Sequence, residues 1–132
     1  MMRDYITREN FAAVISGLSV DEAIKLGHEH GWLEPEDRLF HDGPTERRNA
    51  ARIVHNYILR ELHEADMADV SKASELKDLY DCHVCVNHIA QVYCRQIMLP
   101  ARGKVFDLTA RITCDEAKEI AERIHEMLRK TN

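Results

Sequence analysis

Apolar positions recur along most of this chain at helical spacing. Ala50, Ala51, Val54, Tyr57, Ile58, Leu62 and Ala65 follow one another in steps that gather on one face, predicting an amphipathic helix over about 46–66. Ala117, Ile120, Ala121, Ile124, Met127 and Leu128 predict another over 113–129. Thr113 stands three residues before Glu116, the spacing of a capping box, and fixes that helix's start. Phe11, Val14 and Ile15 predict a shorter helix from Thr7 to Ser16, stopped at Gly17. Ser19, with Glu22 three residues on, opens a second short helix that runs to Gly31. Cys85, Ile89, Val92, Tyr93 and Ile97 give a stripe over 82–97, and "SKASELKDL" (71–79) a weaker helical pattern. Segments 31–45 and 98–113 contain Pro and Gly and read as ordered loops. Only "KVFDL" (104–108) has strand character. The expectation is an all-α protein: a small bundle of about five or six helices with long ordered loops.

Composition narrows the function classes. At 132 residues the chain is one domain by length, and its net charge of −5 argues against sequence-independent nucleic-acid binding. Arg47, Arg48 and Arg52 form a local basic cluster, read as a solvated helix face. No apolar run is long enough to span a bilayer, and "MMRDYITREN" has no apolar signal core. Four cysteines, Cys82, Cys85, Cys94 and Cys114, are too few for a secreted disulfide scaffold and are expected to be reduced thiols. The absent signal and the thiols suggest a cytoplasmic protein, or a cell-surface one if the chain is a fragment of a secreted protein.

Three helix starts are variations on one theme: "TRENFAAVI" (7–15), "ERRNAARIV" (46–54) and "TCDEAKEIA" (113–121). Arg8 aligns with Arg47, Asn10 with Asn49, and Phe11 with Ala50 and Ala117. Val14, Ile53 and Ile120 share the slot three further on. The third start carries Cys114 where the other two have arginine. A loop with a Phe precedes the second start and the third, and each loop follows a helix ending in "GW" (31–32) or "QIM" (96–98).

With these motifs the chain resembles the surface-layer homology (SLH) family. Residues 69–124 look like one repeat, with Asp78-Leu79, His83-Val84-Cys85, Ile89, Val92, Gln96-Ile97, Phe106 and Ile112-Thr113-Cys114-Asp115-Glu116 in the family's places. "ITREN" (6–10), "EAIKLGHEHGW" (22–32), Phe40 and "PTERRNAARIV" (44–54) resemble a shortened repeat. The resemblance implies a single SLH-like domain over 1–132, with a shortened repeat at about 6–58 and a fuller one at about 69–128. It also implies a three-pronged helical bundle that holds anionic cell-wall polysaccharide, the helix-start arginines contacting the sugar's acidic substituents. By position those are Arg8 and Arg47, with Asn10 and Asn49 beside them. Trp32 matches an apolar slot at the end of a family helix, as core, pocket wall or stacking platform. A guanidinium forks onto a carboxylate, and helix N-terminal amides add positive potential, so the chemistry is sound.

"DCHVCVNH" (81–88) remains as the densest group of reactive side chains. Cys82, Cys85, His83 and His88 supply zinc-type donors, but no second pair of ligands at matching spacing exists along the chain. Cys82 at a helix start has the setting of an activated thiol. The favoured reading is architectural, with Cys85 a small core hydrophobe and His83 packing or capping at the helix start. His28 and His30 read as a surface helix end, and Glu34, Glu36 and Asp37 as solvated loop carboxylates. "SVDEAIKLGHEHGW" has the outline of half a helix-turn-helix, without a basic recognition helix. No P-loop, nucleophile elbow or Gly-rich phosphate cradle is present. No metal or cofactor is assigned, and an enzyme is not expected. Two functions are carried forward: a binding module for a cell-wall polymer, and a small cytosolic protein of phage or mobile-element type that binds or inhibits another protein on the same scaffold.

Overall fold

A computed structural model describes residues 4–131. It is all-α: among the described residues there are six α-helices and no strand. They are α1 (Arg8–Ser16), α2 (Val20–His30), α3 (Pro35–Leu39), α4 (Arg47–Arg60), α5 (Val86–Cys94) and α6 (Cys114–Thr131). Short 3₁₀ turns at Ser71–Glu75, Leu79–Asp81 and His83–Cys85 lie between α4 and α5.

Local capping chemistry sets the helix starts. Thr7 Oγ1 accepts from the Asn10 amide, Ser19 Oγ from that of Glu22, and Thr113 Oγ1 from that of Glu116. Gly17 and Gly31 end α1 and α2 at positive φ, 74° and 84°, where a side chain is disfavoured. Five expectations need correction. The helix predicted to residue 66 stops at Arg60, because His63 takes a left-handed φ of 56° and turns the chain away. The 82–97 stripe is a 3₁₀ turn followed by α5, and 71–79 holds only a 3₁₀ turn. The loop 31–45 contains α3, begun by Pro35 at its first position and capped reciprocally by Glu34 and Asp37. "KVFDL" forms no strand; Val105 makes one isolated bridge to Arg102.

The helix-start motif builds a ring. Three extended segments lead into α1, α4 and α6, and their backbones bond in a cycle. The Ile6 amide donates to Ile112 O (2.9 Å), the Ile112 amide to Thr45 O (2.8 Å), and the Thr45 amide to Ile6 O (3.2 Å). Each of these residues lies two positions before its helix. The first amide of each helix is satisfied around the ring in the opposite sense: Arg8 by Gly43 O, Arg47 by Ala110 O and Cys114 by Asp4 O. A helix normally leaves its first amides without partners. Here each neighbouring segment supplies them, so three helices leave one hub with near-threefold symmetry. α2 packs back on α1 and α5 on α4, while α6 lies against α1.

The two hairpins end alike. Trp32 and Leu33 amides donate to Gly27 O, as Ile97 and Met98 amides do to Val92 O. Gly31 and Gln96 take the left-handed turn between them. Gly27 permits the tighter of the two closures, since a Cβ there would come within 2.4 Å of Leu33 Cδ1. One continuous core results, with Phe11, Trp32, Ile53, Ile89, Phe106 and Ile120 all buried.

Candidate functional site

The ring brings the first residue of one helix against the third residue of the next. Arg8 opens α1; its Nη2 donates to Asn49 Oδ1 (3.1 Å) at the third position of α4. Arg47 opens α4; its Nη1 donates to the carboxylate of Glu116, at the third position of α6. The remaining donors stay in the protein. Arg8 Nη1 reaches Glu36 and Asp37 (3.1 Å each), and its Nε reaches Pro44 O. Arg47 Nε donates to Phe106 O (2.6 Å) and its Nη2 to Leu99 O. Each guanidinium lies over a loop aromatic ring, Arg8 over Phe40 at 5.9 Å and Arg47 over Phe106 at 4.6 Å. Both arginines are buried and tie helix to helix and helix to loop. At the third junction Cys114 takes the arginine's place, and Asn10, at the third position of α1, is exposed.

Of the sequence-predicted ligand residues, the structure therefore joins Arg8 with Asn49 and separates Arg47 from both asparagines. Trp32 is a fully buried core residue, set edge-on to Tyr57 with centroids 5.0 Å apart, its Nε1 donating to Glu61 (3.1 Å). That position corrects the stacking-platform option, because the ring face is covered. His30, at the end of α2, bonds the same Glu61 carboxylate (2.9 Å).

Asp37 is the largest omission from the sequence reading, where it was a solvated loop acid. It is 1% exposed. Arg52 grips it bidentately at 2.7 Å on each oxygen, while Arg8 and the Glu34 amide complete the shell. Burial opposes its ionisation, but the bonds and charge of Arg52 prevail and hold its carboxyl below the usual aspartate value. Arg52 is thus a paired, half-buried residue rather than part of a free basic face. Pro35 just inside a helix start was the available signal for Asp37.

Above Arg47 the second junction opens into a groove of about 550 Å³, bounded by α6 and the loop 99–111. Arg102, Arg111 and Arg123 line it together with Asp107, Asp115 and Glu119. Arg102 pairs with Asp107 (2.8 Å) and Arg123 with Glu119 (3.7 Å). Arg111 is exposed and takes part in no ion pair among the described residues. A second depression, about 380 Å³, continues past Leu99 and Arg123 to Arg95 and Lys130. Burial lowers the Arg47 pKa despite Glu116 and Asp107, so its charge is kept under the groove floor by those two acids.

Cys82 and Cys85 form a disulfide, correcting the expectation of reduced thiols for this pair; Cys94 and Cys114 are free. Cys85 does occupy a core position. Among the described residues no group of three or more His, Cys, Asp or Glu side chains converges to hold a metal ion. No helix is long and apolar enough to cross a membrane, again among the described residues. Compared with protein-family models, curated proteins and solved structures, the chain matches none.

Proposed function

We propose that this protein is a non-catalytic binding module that takes an acidic polymer, of the cell-wall polysaccharide type, in the groove beside α6. The observation that carries the reading is the cluster of Arg102, Arg111 and Arg123 on the rim of a cleft whose floor is the buried Arg47. The groove's continuation toward Arg95 and Lys130 suits an extended ligand rather than a compact one. Support also comes from the near-threefold hub, which agrees with the three-pronged architecture implied by the SLH resemblance. In this reading Arg111, in no ion pair among the described residues, makes the forked contact to a ligand carboxylate. Arg102 and Arg123 exchange Asp107 and Glu119 for the ligand, while Arg47 stays with Glu116 as part of the floor. Arg8 and Asn49 hold the first junction closed, and Asn10 and Trp32 take no part.

The test is co-sedimentation of the purified protein with protein-stripped cell-wall sacculi, beside an Arg102→Ala/Arg111→Ala/Arg123→Ala variant. Pelleting that the variant loses, with an unchanged melting temperature, supports the reading. A wild-type protein that stays in the supernatant refutes it.

A protein partner is the second reading, favoured by a separate observation. Leu39 and Phe40, at the end of α3, are 72% and 52% exposed. Neighbouring Pro35, Arg38 and His41 border a shallow depression there. Apolar side chains grouped in this way suit a protein surface better than a sugar.

A further inference from the structure

Away from the groove, the Cys82–Cys85 disulfide lines a cavity of about 240 Å³ between α4, the turn 83–85 and the segment before α3. Cys85 is buried and Cys82 half-buried, so Cys82 offers the accessible sulfur. Val84, between them, is 85% exposed, leaving the approach open. His88, Arg48, Arg52, Glu34 and Glu36 share the cavity wall.

Behind His88 runs a chain of polar contacts that no part of the binding groove uses. His55, 2% exposed, bonds Asp66 through Nε2 (2.6 Å) and His88 through Nδ1 (2.8 Å from His88 Nδ1). Asn87 Nδ2 holds the other Asp66 oxygen (3.3 Å). The tautomers follow from the donors. A carboxylate can only accept, so Asp66 takes the Nε2–H of His55. With both rings uncharged, His55 Nδ1 is then an acceptor and His88 Nδ1–H its donor. Nε2 of His88 is left with its lone pair, and no bond among the described residues engages it. Burial, with the neighbouring His55 and Arg52, brings the His88 pKa down to about 4 against the pull of Asp66. At neutral pH the ring is therefore uncharged and presents an acceptor lone pair, not a proton.

We propose that Cys82–Cys85 is a thiol–disulfide exchange site for a low-molecular-weight thiol, with Cys82 the attacked sulfur and His88 the acceptor that receives and orients the incoming thiol. A thiol R–SH docks with its S–H on Nε2 of His88, ionises with loss of its proton to water, and as R–S⁻ bonds Cys82 Sγ. The Cys82–Cys85 bond breaks, and Cys85 leaves as a thiolate that takes up a proton from water. A second R–SH attacks the mixed disulfide in the same way. R–S–S–R departs and Cys82 becomes a thiol. Two electrons and two protons have passed to the protein, and an oxidised low-molecular-weight disulfide reverses the sequence. Arg48 and Arg52 favour the thiolates in the cavity, and Glu34 and Glu36 temper them. This inference does not rest on the polymer-binding reading.

Glutathione serves as the probe. Reduction of the folded wild type at pH 7, followed by thiol alkylation and mass spectrometry, should run at least tenfold faster than in guanidinium-unfolded protein. His88→Gln should lose about tenfold of that rate while keeping a cooperative melting transition. Cys85→Ser, in a Cys94→Ser/Cys114→Ser background that removes the two free thiols, should carry one adduct after treatment with oxidised glutathione, on Cys82. Equal rates in folded and unfolded protein would overturn the site. An undiminished rate in His88→Gln would remove His88 from it. Should Cys85→Ser not fold, the wild-type comparison and His88→Gln decide the matter alone.

Discussion

Arg47, the first residue of α4, is bonded to Glu116, the third residue of α6. The same two helical positions meet as Arg8 and Asn49 one junction earlier. Arginine at these helix starts thus joins consecutive spokes of the hub, and its removal is foremost a stability change. Arg47→Ala strips donors from Phe106 O, Leu99 O and Glu116 together. Breaking such a pair is expected to cost about 3 kcal/mol, since the partner left behind is only partly solvated. Urea denaturation of Arg47→Ala and Arg47→Lys measures it, and lysine should recover only part because it cannot fork to all three acceptors. A loss below about 0.5 kcal/mol in Arg47→Ala would show that the junction does not depend on this residue.

Much of this architecture is legible along the chain because capping is local. Thr7, Ser19 and Thr113 announce their helices through side-chain bonds only three residues long, and the apolar stripes identify the buried faces. What escapes is either too short for a period or made by distant partners. α3 has five residues and shows no stripe. The stop after Arg60 depends on a left-handed histidine, a conformation histidine seldom announces. Asp37 reads as solvated until Arg8 and Arg52 arrive from 29 and 15 positions away. His55 and His88, 33 residues apart, meet only after the chain has turned back on α4.

Thr45 is the odd member of the hub, where its two counterparts are Ile6 and Ile112. Its side chain is fully buried, and Oγ1 has no hydrogen-bond partner among the described residues. Thr45→Val replaces the stranded hydroxyl with a methyl of like size and leaves the backbone cycle untouched. It should stabilise the protein by about 1 kcal/mol. Thermal or denaturant melting checks this, and a destabilised variant would mean that the hydroxyl is satisfied.

Acid should weaken the fold through His88 in a defined window. Its folded pKa is about 4 against 6.5 in the free side chain. Between those values the unfolded chain binds the proton and the folded protein does not, so stability rises with pH through the window and is lost as pH falls from 6.5 toward 4. Asp37 and Asp66, both lowered, add losses at still lower pH as they are protonated. Melting temperatures from pH 4 to 7 should fall on acidification in the wild type and fall less in His88→Gln. Parallel curves would place the acid sensitivity elsewhere.

The third junction is held by backbone bonds but has no arginine bridge among the described residues, and it predicts a gain rather than a loss. Cys114 holds the position of Arg8 and Arg47, and Asn10 that of Asn49 and Glu116. Cys114 is partly buried against the core, while the Asn10 side chain makes no hydrogen bond among the described residues. Cys114→Arg places a guanidinium at the start of α6, where its fork can reach the Asn10 side-chain oxygen as Arg8 reaches Asn49. One added hydrogen bond of this type contributes about 1 kcal/mol. The positive charge at a helix N-terminus takes back a few tenths. The expected net effect is a melting temperature raised by a few degrees. Asn10→Ala in the Cys114→Arg background should erase the rise and in the wild type should change little, so a double-mutant cycle isolates the pair. A gain that survives Asn10→Ala would come from some other contact, and a loss would mean that the third junction departs from the symmetry of the first two.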